Sequence, residues 1–212
     1  SKVLIVSALH RELPDRYEEP FFNHNVLFTG VGKINATYEL TKVLSKDRFD
    51  LVINYGTAAS KTYSGLVDCT KFIQRDMDAT PMGFNIGETP FDSEPSMIDF
   101  SHIKNPIGKN LTCYTGDSFV TDIQYMDVVD MEAYWQAQIF LTSSIAFSSV
   151  KYITDTNDEI TRRYITKQFP VLRDCFNDFF QPIVARLSNC FDFGRRFNYN
   201  HSFLCYIHSI KI

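Results

Sequence analysis

The sequence is short of the features that most often announce a function. No apolar run approaches the roughly 20 residues that a membrane-spanning helix needs; Val3-Leu-Ile-Val6 and Leu51-Val-Ile53 are only strand-sized. The chain opens without the charged, apolar and small-residue series of a secretory leader, so a cytoplasmic protein is expected. Charge of one sign never forms a block. With 21 Lys+Arg against 25 Asp+Glu and a net of −4, the chain lacks the basic surplus that phosphate recognition uses, and neither nucleic acid nor membrane is expected as a partner. The five cysteines (Cys69, Cys113, Cys175, Cys190, Cys205) are odd in number and widely spaced, with no CxxC. That pattern reads as free thiols in a reducing compartment, not as a disulfide framework or a zinc site. Gly30-Val-Gly32-Lys33 lacks the third glycine of a dinucleotide fingerprint, and neither GxxxxGK[ST] nor GxSxG occurs, which removes the common phosphate-loop and serine-hydrolase readings. No metal and no cofactor is expected.

What is present is a globular composition. The 212 residues are 44% apolar, and 19 Phe, 11 Tyr and 1 Trp supply much burial per residue, enough for one well-packed domain. Short β-branched runs end in small residues: Lys2–Ala8, Asn25–Thr29 running into Gly30-Val-Gly32, and Asp50–Tyr55 stopping at Gly56-Thr-Ala-Ala-Ser60. Further strands are predicted at Cys69–Arg75, Leu111–Thr115 and Val150–Thr154. Helices are predicted after Gly32 and from about Asp130 to Leu141. A longer one is predicted over Pro170–Ser188, where Leu172, Cys175, Phe176, Phe179, Phe180, Ile183, Val184 and Leu187 keep helical spacing and Pro182 should bend the axis. Phe84–Lys109, rich in Pro, Gly, Ser and Asp, reads as a long loop. Alternating strands and helices predict a single α/β domain with a central mixed, mostly parallel twisted sheet flanked by helices, over residues 1–189. Residues 190–212 form a tail without a recognisable role.

Three carboxylates stand where strands or small-residue turns end. Glu12 follows the first strand, Glu132 lies in the apolar frame Val128-Val-Asp-Met-Glu-Ala133, and Asp155 closes the strand Val150–Thr154. Ligands gather at such strand ends, and a partly desolvated carboxylate can serve as general acid or base. Asp76 and Asp78 instead read as turn or salt-bridge residues.

Six segments occur in the order found in one family: Ser7-Ala-Leu-His-Arg-Glu12, Gly30-Val-Gly-Lys-Ile-Asn-Ala36, Ile53-Asn-Tyr-Gly-Thr-Ala58, Thr115-Gly-Asp-Ser-Phe119, Val129-Asp-Met-Glu-Ala133 and Val150-Lys-Tyr-Ile-Thr-Asp155. Through them the chain resembles the 5′-methylthioadenosine/S-adenosylhomocysteine nucleosidases, within the nucleoside phosphorylase/nucleosidase superfamily. The resemblance implies a nucleoside phosphorylase-like fold and hydrolysis of the bond between a purine and ribose C1′. Asp155 would protonate N7 of the leaving adenine, and Glu12 would position and deprotonate the attacking water, which asks for different environments around the two acids. Glu132 would bind ribose hydroxyls, Met131 would lie against the sugar, Phe119 would stack on the purine, and backbone groups near Val120 would read the purine edge. Thr57 and Thr154 stand at the family's small hydroxyl positions. Ala79, Met82 and Phe84 occupy apolar positions of a segment that family members place over the 5′ substituent from a dimer partner, so a homodimer acting on a small purine nucleoside is implied.

Bacterial phosphorylases of the superfamily carry a phosphate-binding arginine at the position of Asn54, and asparagine offers no charged fork; water is the expected nucleophile. The rival readings are a phosphate-dependent phosphorylase, with Arg11 as an anion site, and a nucleoside-binding protein that kept the fold without turnover. The sequence departs from the family pattern at Lys151, where arginine is usual, at Thr154, at Thr156-Asn157-Asp158, in the stretch from Asn85 onward, and in the tail.

Overall fold

The computed structural model describes residues 2–13, 25–103, 105 and 107–155. Apolar runs become eight strands: β1 (Val3–Ser7), β2 (Asn25–Phe28), β3 (Leu51–Ala59), β4 (Gly65–Gln74), β5 (Met97–Asp99), β6 (Leu111–Thr115), β7 (Val128–Asp130) and β8 (Ala146–Asp155). Two α-helices, α1 (Lys33–Leu44) and α2 (Ala133–Ile139), complete the regular structure among the described residues, with two short 3-10 turns. Every residue of β1 is buried, which is why its sequence is a continuous apolar run and not an alternating one. The two faces of β1 and β3 feed different clusters. Leu4, Val6 and Val52 pack with Leu40 of α1 and with Tyr134, Trp135 and Ala137 of α2. Val3, Ile5, Leu51, Ile53 and Tyr55 pack with Leu13 and Val150.

All eight strands join one sheet, mixed as expected. β1 runs parallel to β2 and β3, β3 to β8, β4 to β6 and β6 to β7, while β3–β7, β4–β5 and β4–β8 are antiparallel. The pairing runs from β3 through β8, β4, β6 and β7 and returns to β3, so the sheet closes on itself like a barrel, with β1 and β2 extending from β3. The expected mostly parallel sheet flanked by helices is met only in part among the described residues: three of the eight strand pairings are antiparallel, α1 and α2 pack against each other, and α2 also rests on β4 and β6. The closure depends on β4, whose ten residues reach β8 with the first half and β6 with the second.

One consequence of this topology is a crevice. β8 occupies one edge of β3 along its whole length, so β1 and β7 must share the other. β1 pairs only as far as Asn54, and β7 meets β3 only at Ala59. Between them no described strand runs along that edge at Tyr55–Ala58, and the gap opens beyond the carboxyl end of β1, where α/β sheets bind ligands.

The sequence misplaces some boundaries. Val128–Asp130, which overlaps the start of a predicted helix, forms strand β7, and α2 begins three residues later. The stretch Phe84–Lys109 holds strand β5 within its turns. The predicted helix Pro170–Ser188, the bend at Pro182 and the tail 190–212 lie outside the described residues.

Candidate active site

Glu12 sits on a single 3-10 turn, His10–Glu12, shortly after β1, and this turn folds its carboxylate back into the gap on β3. The side chain is 3% exposed and four donors hold it. Ser7 Oγ (2.8 Å) and the Leu9 N–H (2.9 Å) reach Oε2; the Thr57 N–H and Thr57 Oγ1 (2.9 Å each) reach Oε1. The Thr57 N–H can be given to a side chain because β3 has lost its neighbouring strand there. Gly56 makes the approach possible, since a Cβ at that position would lie 3.0 Å from Glu12 Oε1.

Glu132 forms the facing wall, directly before α2, and is also buried. Its Oε1 accepts a hydrogen bond from the Gly32 N–H at 3.2 Å. Gly32 opens α1 with φ +94°, a conformation that glycine adopts without the Cβ clash, and this turns its N–H toward the site. Burial, then the neighbouring Asp130 carboxylate, push the Glu132 pKa up to about 8, with Lys151 opposing and Glu12 reinforcing the rise.

Behind Glu132 lies a buried ion pair, Lys151 Nζ to Asp130 Oδ2 at 2.9 Å. Burial alone would favour the neutral form of both groups, yet their attraction outweighs it: Asp130 is held below the ordinary carboxylate value and Lys151 above the ordinary ammonium value. Asp130 also accepts from Thr115 Oγ1 and from the N–H groups of Glu132 (3.3 Å) and Ala133 (2.8 Å). Those two donors begin α2, so a charged group far from solvent satisfies the open end of the helix.

The cavity between these walls is lined by Glu12, Thr57, Met131 and Glu132, and also by Val31, Arg75, Ser118 and Phe119. Five of the eleven residues singled out from the sequence thus share one cavity: Glu12, Thr57, Phe119, Met131 and Glu132. Val120 packs just beside it, against Ala59, Ile123 and Val129. Asp155 is the last residue of β8 and pairs in register with Ala59, itself a lining residue, because the register slips by one past Thr154. Ala79, Met82 and Phe84 do not line the cavity of their own chain. They surround the 3-10 turn Thr80–Met82, braced by Asp78 Oδ1, which accepts from the Thr80 N–H (3.0 Å) and Oγ1 (2.7 Å). Met82 is 63% exposed there, and the Phe84 ring meets Phe91 edge-on at 5.4 Å.

Asn54 is buried and accepts a 3.0 Å bond from Ser149 Oγ. Asp76 makes the expected salt bridge, with Lys33 Nζ at 3.3 Å. Arg75, which the sequence pattern does not single out, lines the cavity; its position at the carboxyl end of a long strand is the available signal. Among the described residues no group of three or more His, Cys, Asp or Glu side chains is placed to hold a metal ion. No helix among them is long and apolar enough to cross a membrane.

No family model matches the chain. A curated relative from an Exiguobacterium strain, 26% identical over 190 residues, is a 5′-methylthioadenosine/S-adenosylhomocysteine nucleosidase; the match covers 73% of this chain and 82% of the relative. A nucleosidase of the same description from Anoxybacillus flavithermus is 28% identical over 155 residues, 61% of this chain and 66% of its own. Among solved structures, the Helicobacter pylori enzyme superposes with a TM-score of 0.73 at 17% identity, covering 88% of this chain and 98% of that one. The Streptococcus pneumoniae enzyme, bound to a transition-state inhibitor, gives 0.66 at 17% identity over 80% and 92%. The fold is that of the methylthioadenosine/S-adenosylhomocysteine nucleosidases. The resemblance carried by the six sequence segments therefore extends through the architecture.

Proposed function

We propose that this chain is a purine nucleosidase that hydrolyses the N-glycosidic bond of 5′-methylthioadenosine and S-adenosylhomocysteine-type nucleosides and releases adenine. The observation that carries the reading is the Glu12 carboxylate, buried and held by four donors at the base of a cavity whose facing wall is Glu132. A carboxylate fixed in this way can orient a water molecule and accept its proton once one of its four donors gives up its place to the water. Glu132 takes ribose hydroxyls, which donate to its oxygens, and Met131 lies against the sugar. Phe119, 57% exposed at the cavity, offers a ring face to the purine, and the backbone at Val120 reads the purine edge. Asp155 delivers the proton to N7, with Thr154 beside it. As the base leaves with that proton, positive charge grows on the sugar between Glu12 and Glu132.

Water rather than phosphate is the nucleophile in this reading. Asn54 stands where phosphorylases of the superfamily carry an arginine, and its side-chain oxygen is already engaged by Ser149. The protein acts as a cytoplasmic homodimer in methionine salvage, with Ala79, Met82 and Phe84 of each protomer covering the 5′ substituent bound by the other.

The test is a product assay on 5′-methylthioadenosine in phosphate-free buffer and again with phosphate. Adenine released at the same rate in both is the expected result, and Asp155→Asn and Glu12→Gln should each abolish turnover. Release only with phosphate, yielding ribose-1-phosphate, would overturn the reading in favour of phosphorolysis. Tight nucleoside binding with no product at all would overturn it in favour of a binding protein.

A further inference from the structure

Four consecutive residues, Gly116 to Phe119, follow β6 and end in the exposed Phe119 ring. The first three are tied to several different elements. The Gly116 N–H donates to Asp130 O of β7 (3.2 Å). The Asp117 N–H donates to Asp76 Oδ2 (2.9 Å), and Asp117 Oδ1 accepts from the Lys33 N–H that begins α1 (2.8 Å). The remaining ties come from one side chain. Arg75 donates from Nη2 to Gly116 O (3.0 Å) and to Ser118 O, and from Nη1 to Ser118 Oγ (3.2 Å). Its own backbone N–H donates to Thr115 O (2.9 Å), so the loop and its anchor leave the sheet side by side. The guanidinium lies so close to Gly116 that a Cβ there would come within 2.6 Å of Cζ.

The contact reaches below the surface. Burial lowers the Arg75 pKa, and its Nε is buried with no hydrogen-bond partner among the described residues. A charged group kept in that setting is held by the fork of donors at its tip, which only arginine supplies. Ser118, the residue Arg75 bonds twice, immediately precedes Phe119.

We infer that Arg75 is a positioning residue for purine binding: by clamping Gly116 and Ser118 it holds the Phe119 ring where the base stacks. The inference rests on the proposed nucleosidase reading for the identity of the ligand. A ring already in place costs less ordering when the purine arrives, so Arg75 acts on binding and not on bond cleavage.

Three measurements test it. Arg75→Met should raise KM for 5′-methylthioadenosine by about tenfold and leave kcat within about threefold, and Arg75→Lys, which keeps charge but loses the fork, should fall between. In a Phe119→Ala background, Arg75→Met should change KM by less than about twofold, because the ring it positions is gone. An equal KM rise with and without Phe119, or an unchanged KM in both Arg75 variants, would overturn the inference. Hydrogen exchange read without substrate separates this inference from the activity. Faster exchange at the Gly116 and Asp117 amides of Arg75→Met, with the rest of the sheet protected as before, supports the clamp even if the wild-type chain releases no adenine, and unchanged exchange there overturns it.

Discussion

Gly56 and Glu132 set the space and the electrostatics of the cavity residue by residue. At Gly56 any side chain competes with Glu12 Oε1 for the same space, because a Cβ there would stand only 3.0 Å from that oxygen. Gly56→Ala should therefore lower kcat by about 10- to 100-fold, the cost of displacing the carboxylate proposed as general base, as steady-state kinetics would show. Glu132 makes stability depend on pH. Its ordinary value is 4.5 and burial, with Asp130 next, lifts it to about 8 in the folded chain. Between those values the folded state keeps a proton that the unfolded state has released, so stability is greatest on the acid side and declines as pH rises through that window. Glu132→Gln removes the titration. The wild-type melting temperature minus that of Glu132→Gln should fall steadily from about pH 5 to about pH 8.5, and a flat difference would refute the assignment.

Elements meet around one buried charge pair. Asp130 of β7 joins Lys151 of β8, Thr115 of β6 and the first N–H groups of α2, so four elements depend on it. Removing the ammonium leaves a buried carboxylate without its counter-charge, which costs about 3–5 kcal/mol. Lys151→Met should show that loss in urea unfolding, and Asp130→Asn added to it should recover part. Sequence patterning marks β1, β2 and β6 almost to the residue because an apolar run bounded by small residues has few alternatives. It fails at β7, whose three residues are too short to show a period, and whose Asp130 looks like a helix N-terminus. It also cannot show that Lys151, in a predicted strand, is buried: nothing in the one-dimensional pattern distinguishes a paired lysine from a solvated one.

At the scale of the whole molecule, Met82 is exposed in a segment that stands apart from its own cavity. In the homodimer proposed above it serves the partner's site. Met82→Glu should then raise KM for 5′-methylthioadenosine by about tenfold, by placing a charge where an apolar group binds. Mixing that variant with inactive Glu12→Gln chains should restore wild-type KM in the hybrid dimers, whose one intact site takes Glu12 from one protomer and Met82 from the other; no recovery would place Met82 in its own chain's site. The sequence by itself determined the identity of the carboxylates, the strand-end positions of Glu12 and Asp155, and the small residues at the strand ends, because these are properties of local order along the chain. Only the tertiary structure decided that β1 and β7 part along one edge of β3 and leave a slot for Glu12, that Glu132 faces it across a cavity, and that Arg75 reaches the Phe119 loop. Those facts arise from strand pairings between residues far apart in the chain, where closure of the sheet, and not local pattern, fixes which side chains meet.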